Sequence, residues 1–392
     1  MAPSTGWRGV TALAVVAVAA AGCQATATAT ASRHAAASAP ASASSPSSAA
    51  ARPTPSASVS ARRSRGSPRI MIVGDSITEG SAGDYTWQYW LYKHLQADGF
   101  SPRMVGPHHW LFNNVTGREG AHSYADPRFG HANDASWGLT LIGEKDLIGA
   151  KVARYRPGYL LVLLGVDDIA WQGISQPDMA ANLASFIAAA RAARPRIRIV
   201  LGLIPPDHRQ QTDPAFRASI VAFNRTIVAT AARLSTARSP IAVARDRAGI
   251  NVAADLLDGT HPNANGDVKI AAAFADALAS RFHLGSPYPR PLPVLPTGPL
   301  THARLTVTAL RKHDGARLSW TLVPGATEYF VYQKELTLQR VGFQRLPWPL
   351  LPGQSPWTAG LLSPGHTYLF KLRACKGIDC GAFSNVATVT LP

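Results

Sequence analysis

Between residues 69 and 282, short apolar runs alternate with longer segments in which apolar residues recur every three or four positions. Short unbroken apolar runs are typical of buried parallel strands, whereas the longer period is typical of helices that bury one face. The predicted strands are Ile70–Val73, Pro102–Val105, Tyr159–Leu164, Ile197–Ile204 and Ile241–Ala244, and the predicted helices are Tyr85–Ala97, Met179–Ala193, Pro214–Leu234 and Gly266–Phe282. Residues 106–130 are polar and predict a surface loop. This alternation predicts an α/β domain over residues 68–285, with a parallel sheet covered by helices on both faces.

After a proline-rich stretch at residues 286–302, which predicts a stiff linker, the apolar period changes to two. The predicted strands are Leu305–Leu310, Ala316–Trp320, Tyr329–Gln333, Thr367–Ala374 and Val386–Leu391. Short alternating strands separated by turn residues predict a small all-β sandwich over residues 303–392. Cys375 and Cys380 lie close together near a predicted hairpin, so we expect a local disulfide in an exported protein.

The N-terminal segment differs from both regions. Residues 1–23 combine a basic start with an apolar run too short to span a bilayer, which predicts a signal peptide. The run ends in Ala-Ala-Gly-Cys and resembles a bacterial lipobox, in which Cys23 would be lipidated; cleavage as a freely secreted protein is the alternative. Residues 24–67 are Ala, Ser, Thr and Pro with scattered Arg, and predict a disordered tether.

The net charge of the 392-residue chain is +16. A basic balance can indicate nucleic-acid binding, but there is no Lys/Arg run interleaved with aromatic residues and no nucleic-acid motif. We therefore expect no nucleic acid, and consider an anionic cell-envelope surface the better partner. No phosphate-binding loop, dinucleotide fingerprint or metal-ligand cluster occurs in the sequence, so we expect no cofactor and no metal.

Two distant stretches carry candidate chemistry. The first predicted strand ends at Gly74-Asp75-Ser76, which would leave a hydroxyl group at the carboxyl end of the sheet, where ligands bind in open α/β folds. Much later, Asp258 precedes His261 by three residues. A serine becomes a strong nucleophile when a base takes its proton and a third group orients that base. Ser76, His261 and Asp258 supply these three roles.

Together these stretches resemble the GDSL, or SGNH, family of serine esterases. The resemblance implies a flavodoxin-like parallel sheet between helices, with Ser76 as nucleophile, His261 as base and Asp258 as its orienting acid. In the C-terminal region, the segment Leu362–Tyr368 together with Trp320 resembles a fibronectin type III domain. That resemblance implies a buried Trp320 and a tyrosine corner at Tyr368.

The family resemblance also implies an oxyanion hole. Its donors would be the backbone N–H of Ser76, a glycine N–H for which we choose Gly138, and an asparagine side chain. Ser136 or Trp137 could instead occupy the glycine's position. Asp167 stands where the family has asparagine, and an ionised carboxylate cannot donate a hydrogen bond.

Three interpretations of the role of Asp167 remain open. Burial could raise its pKa so that it donates as a neutral acid. It could turn away and leave a slower site with backbone donors alone. The site could also have lost its activity, which would make the protein a binding module at the envelope.

For the substrate, the motifs around residues 74–80, 87–91 and 104–106 resemble the carbohydrate-esterase branch of the family. This implies removal of acetyl or similar groups from carbohydrate, with Trp137 and Trp171 as candidates for stacking on sugar rings. The alternative for both tryptophans is the hydrophobic core. A lipase or lipid esterase with a long acyl pocket is a further alternative.

Overall fold

The structure is a computed structural model that describes residues 66–130, 132–245, 249–310, 314–337 and 342–392. The predicted signal peptide, the lipidation site Cys23 and nearly all of the predicted tether lie outside the described residues.

The first domain alternates strands and helices as predicted. Its strands are β1 Arg69–Gly74, β2 Arg103–Met104, β3 Leu111–Asn113, β4 Arg118–Ala121, β5 Asp134–Ala135, β6 Tyr159–Leu163, β7 Arg198–Gly202 and β8 Ile241–Ala244. Its helices are α1 Ser76–Glu79, α2 Trp87–Ala97, α3 Leu141–Glu144, α4 Ile148–Tyr155, α5 Val166–Ala170, α6 Gln176–Ala193, α7 His208–Thr212, α8 Pro214–Leu234, α9 Val252–Asp255 and α10 Ala264–Phe282.

The main sheet is parallel, with strand order β2-β1-β6-β7-β8, and β5 adds to it beside the end of β1. This is the flavodoxin-like order, so the predicted fold class is confirmed. The chain reverses its direction of travel across the sheet at β1 and β6, which pair directly through Gly74 and Leu163. Loops that follow these two strands therefore meet at the switch point, where such folds bind ligands.

The expected surface loop over residues 106–130 is wrong in part. It contains the antiparallel hairpin β3–β4. Leu111, Tyr124 and Phe129 form a small core of their own beneath it. The apolar residues that build this core are scattered among polar ones, so neither of the two periods marked the hairpin.

The second domain is an antiparallel sandwich, as predicted. Its strands are β9 Leu305–Ala309, β10 Ala316–Trp320, β11 Glu328–Glu335, β12 Gln344–Arg345, β13 Trp357–Ala359, β14 Thr367–Lys376, β15 Asp379–Phe383 and β16 Ala387–Thr390. One sheet has the order β13-β10-β9; the other has β12-β11-β14-β15, with β16 also on β14. Trp320 is buried, and the buried Tyr368 hydroxyl accepts a hydrogen bond from the Ser363 N–H at 2.9 Å, the geometry of a tyrosine corner.

The segment between the domains adheres to the first domain. Leu295 and Asn265 exchange two hydrogen bonds, and the Ser286 N–H donates to Asp98.

Cys375 and Cys380 are joined by a disulfide at the β14–β15 hairpin. Within the described ranges, no helix combines the length and apolar character needed to cross a membrane.

Candidate active site

The serine loop forms where β1 turns directly into α1. Asp75 caps this helix, because its side chain accepts a hydrogen bond from the Ile77 N–H at 3.0 Å. Ser76 is therefore the first residue of the helix, where backbone N–H groups have no partner within the helix. Its side chain lies at the carboxyl edge of the sheet and is largely buried.

Asp258 and His261 lie on one tight turn before α10. The Leu257 N–H donates to the His261 carbonyl at 2.9 Å, which closes the turn. Oδ1 of Asp258 accepts the backbone N–H groups of Thr260 and His261 at 3.0 and 2.8 Å. The same carboxylate that shapes the turn is thereby held beside the imidazole ring.

The two stretches meet in space. Nδ1 of His261 lies 2.7 Å from Oδ2 of Asp258, and Nε2 lies 3.0 Å from the Oγ of Ser76. Although burial opposes it, the hydrogen bonds and charge of His261 hold the pKa of Asp258 below its usual value. An ionised acid, an imidazole and a hydroxyl group therefore form one continuous hydrogen-bonded chain.

Trp137 contacts this chain directly. Its ring stacks on His261 with centroids 4.3 Å apart, and on Phe112 at 4.2 Å. Phe112 belongs to β3, in the region expected to be only loop. The ring of Trp137 is thus engaged by protein, which favours a role in holding the imidazole over one as an open sugar platform.

The segment from Ser136 to Gly138 borders the serine loop. The Ser136 N–H donates to the Gly74 carbonyl at 3.2 Å, and the Trp137 N–H interacts with the carboxyl group of Glu79. Gly138 is exposed, with a φ of 79°, and its N–H has no partner among the described residues. Of the three candidates for the glycine position, Ser136 has its N–H engaged by a backbone carbonyl, whereas Gly138 is exposed and its N–H is free among the described residues.

Asp167 lies on α5, which follows β6 at the switch point. Its Oδ1 accepts the indole N–H of Trp171 at 3.0 Å, whereas its Oδ2 is buried without a hydrogen-bond partner in the described chain. Burial raises the pKa of Asp167; the Trp171 hydrogen bond and the charge of His261 oppose the rise. The neighbouring Asp168 has a different task, since it accepts the N–H groups of Leu141 and Ile142 at the start of α3.

Trp171 is the most exposed tryptophan beside the site. Its side chain is 81% exposed although its indole N–H is fixed by Asp167. A ring held at one edge and open to solvent differs from the half-buried ring of Trp137, which is stacked between His261 and Phe112. Of the two tryptophans chosen from the sequence, Trp171 presents much the larger free surface.

Sequence reasoning missed Glu79, the last residue of α1. Its carboxyl group is buried, and burial together with the charge of Glu119 raises its pKa to about 8, with the Trp137 N–H opposing the rise. The available signal was a second acidic residue, besides Asp75, within the short serine loop. In the described part of the chain, no group of three or more His, Cys, Asp or Glu side chains could hold a metal ion.

The model for GDSL-like lipases and acylhydrolases matches residues 72–268, half of the chain. The chain belongs to the GDSL-like lipase/acylhydrolase family. This GDSL hydrolase is accordingly a carboxylic ester hydrolase, as the resemblance implied. No curated protein matches it.

Solved structures similar to this GDSL hydrolase include two carbohydrate esterases of family 3. The enzyme from Talaromyces cellulolyticus is 24% identical, with a TM-score of 0.46, over 54% of this chain and 97% of its own. The enzyme from Clostridium thermocellum is 20% identical, with a TM-score of 0.45, over 55% and 98%. The fibronectin domains of chicken CNTN1 match 24% of this chain and 33% of their own at 16% identity, with a TM-score of 0.22. Likenesses at these scores leave the substrate of this chain open.

Proposed function

We propose that the protein is an exported serine esterase that removes O-acyl groups, chiefly acetyl, from carbohydrate. The observation that carries this proposal is the chain of hydrogen bonds from Asp258 through His261 to Ser76. In it, Ser76 is the nucleophile, His261 the general base and acid, and Asp258 the group that fixes the imidazole.

The reaction follows from these positions. The Oγ of Ser76 attacks the ester carbonyl carbon while its proton passes to Nε2 of His261. The tetrahedral intermediate collapses, and the leaving alcohol takes that proton. Water then attacks the acyl-serine, giving its proton to Nε2; the carboxylic acid leaves and the serine recovers its hydrogen. Asp258 remains ionised throughout and stabilises the transient imidazolium.

For the oxyanion, we propose the N–H groups of Ser76 and Gly138 together with Asp167 acting as a neutral acid. The indole N–H of Trp171 occupies Oδ1, so Oδ2 is the oxygen on which a proton and a donated hydrogen bond fit. The raised pKa of Asp167 supports this choice over a carboxylate that repels the oxyanion. Asp167 then donates where the family's asparagine would.

A carbohydrate ester is favoured over a lipid by the surroundings of the site. Two apolar cavities of about 240 and 520 Å³ lie along β6, β7, α8 and α10, and neither is lined by Ser76, His261 or Asp167. The exposed Trp171 offers a stacking surface instead. Small acyl groups on a sugar suit this arrangement better than long chains.

We also propose export and association with the cell envelope, through Cys23 or through surface charge. A cleft of about 470 Å³ supports the second route, since it is lined by Arg194, Arg196, Arg198, Arg238, Arg281 and His283. Among the described residues, none of these arginines forms an ion pair with an acid. Guanidinium groups without partners suit phosphate or carboxylate groups on an anionic surface.

The test of the proposed function is a substrate panel. p-Nitrophenyl esters of increasing chain length and acetylated xylan are compared on the wild type, Ser76→Ala and His261→Ala. We expect short esters and acetylated xylan to be hydrolysed, and each variant to lose at least ~10³-fold in kcat/KM. Full activity in Ser76→Ala would refute the mechanism, whereas a preference for long acyl chains would favour the lipid esterase.

A further inference from the structure

The C-terminal sandwich touches both loops that carry the proposed triad. At the tip of the β14–β15 hairpin, the Ile378 N–H donates to the Leu257 carbonyl at 2.8 Å. Leu257 directly precedes Asp258, and its own N–H closes the turn onto His261. The hairpin is therefore bonded to the backbone of the turn that presents the imidazole.

Lys376, on the same hairpin, reaches the other loop. It is 5% exposed, and its Nζ donates to Oδ1 of Asp84 at 2.5 Å and to the Ala82 carbonyl at 3.0 Å. Oδ2 of Asp84 in turn accepts the Ser81 N–H at 2.7 Å. Residues 81–84 follow the helix that begins at Ser76, so the lysine is bonded to the far side of the serine loop.

The charge of Lys376 also acts on a buried acid of the first domain. Asp267 on α10 is buried; burial, together with the charge of Asp84, raises its pKa well above the usual value, and the charge of Lys376 opposes that rise. A buried ammonium group is costly unless its partners are well placed. Its hydrogen bonds to Asp84 and to the Ala82 carbonyl supply such partners and make a specific joint between the domains.

The backbone of the sandwich approaches both loops so closely that a side chain would not fit between them. A Cβ atom added to Gly377 would lie 1.8 Å from the Leu257 carbonyl oxygen, and one added to Gly325 would lie 1.8 Å from that of Ala82. Only glycine permits such an approach. Such contacts belong to an integral part of the site, not to a distant spacer.

We propose that the β14–β15 hairpin is a positioning element of the esterase site, with Lys376 as its principal positioning residue. It clamps the serine loop and the histidine turn to one body and so fixes the separation between the Oγ of Ser76 and Nε2 of His261. The inference rests on the proposed function, because that separation matters only if the two groups react together. A displacement of about 1 Å in such a pair can lower the rate by ~10²-fold.

The decisive test uses two glycines of the sandwich that share a left-handed backbone. Gly377 has a φ of 54° and Gly365 a φ of 74°, so alanine strains both, but only at Gly377 does it press on the histidine turn; around Gly365 there is open space. In the full chain, we expect Gly377→Ala to lower kcat for p-nitrophenyl acetate by ~10–10²-fold with KM within about two-fold. Gly365→Ala should match the wild type in both.

A second pair tests the lysine. Lys376→Met should lower kcat to a similar extent, with partial recovery in Lys376→Arg, while Lys371→Met on the same strand should leave it unchanged. All variants are assayed well below their thermal midpoints, so loss of folded protein is excluded. Normal kcat in folded Gly377→Ala and Lys376→Met would overturn the inference and leave the proposed function standing.

A readout that needs no turnover separates the two ideas. The imidazole NMR resonances of His261 should shift in Gly377→Ala and stay unchanged in Gly365→Ala, whether or not the wild type hydrolyses the ester. An inactive wild type with this shift would refute the proposed function alone. Resonances identical in both variants would refute the positioning role.

Discussion

The two edges of the main sheet gather opposite charges. At the carboxyl edge, Asp75 and Asp168 accept hydrogen bonds at the starts of α1 and α3. At the amino edge, α6, α8 and α10 end beside the arginine cleft. Helix N-termini favour anions and C-termini favour cations, so a parallel α/β fold sorts charge between its edges before any function is added.

The two edges differ in how far their charged side chains are exposed to water. Three carboxyl groups at the carboxyl edge are buried, and burial raises the pKa values of these residues, Asp75, Asp167 and Asp168. Of the cleft arginines, Arg196, Arg198, Arg238 and Arg281 are exposed. Desolvated groups can tune a reaction, whereas solvated ones act mainly through long-range attraction. The three predictions below test this contrast.

The largest effect should come from breaking a buried pair at the carboxyl edge. Lys151 bonds Asp134 at 2.8 Å and Glu144 at 2.7 Å, and both carboxylate side chains are fully buried. Lys151→Met should cost ~3–5 kcal/mol of unfolding free energy, measured by urea denaturation, because two buried acids lose their cation. Lys145→Met, which breaks a pair with the exposed Asp146, should cost less than ~1 kcal/mol. Equal losses in the two variants would contradict the contrast.

The second prediction concerns Asp167 and pH. As the pH rises through its raised pKa, the acid ionises and the oxyanion loses a donor, so wild-type kcat/KM should fall on the alkaline side. Asp167→Asn cannot ionise and should exceed the wild type by ~10²-fold at pH 8, with the difference shrinking as the pH is lowered.

Trp171→Phe is the companion variant for that pH profile. It removes the indole N–H that lowers the pKa of Asp167, so the alkaline fall should move to higher pH. If Asp167→Asn is the weaker enzyme at every pH, Asp167 is not the oxyanion donor.

The smallest effect should be at the amino edge. We expect the unlipidated chain to bind phosphatidylglycerol vesicles in low salt, and Arg196→Glu with Arg238→Glu to weaken that binding by at least ~10-fold in a sedimentation assay. Esterase activity should not change. Arg304→Glu with Arg317→Glu, two exposed charge reversals in the C-terminal domain, is the control with the same change in net charge. Equal weakening by the control would show that net charge, and not the arginine cleft, accounts for the binding.

The sequence predicted the parts of the molecule that depend on local pattern. The bounds of α8, β8 and β10 match their apolar periods, and an aspartate three residues before a histidine indicated the turn at Asp258. The contacts that surround this turn depend on distant segments. The sequence around Trp137 does not indicate that its ring stacks on His261. The sequence around Lys376 likewise does not indicate its ion pair with Asp84. The short edge strands β12 and β13 were missed because two or three residues carry no readable period.

The turn closed by Leu257 and His261 holds two members of the proposed triad on one short segment. Because Asp258 and His261 are hydrogen-bonded within this turn, they move as one unit. Thermal motion that opens the site should therefore separate the Ser76 hydroxyl group from an intact acid–imidazole pair. Activity lost on mild heating, below the temperature of global unfolding, should therefore return on cooling, since the acid and the imidazole do not have to find each other again.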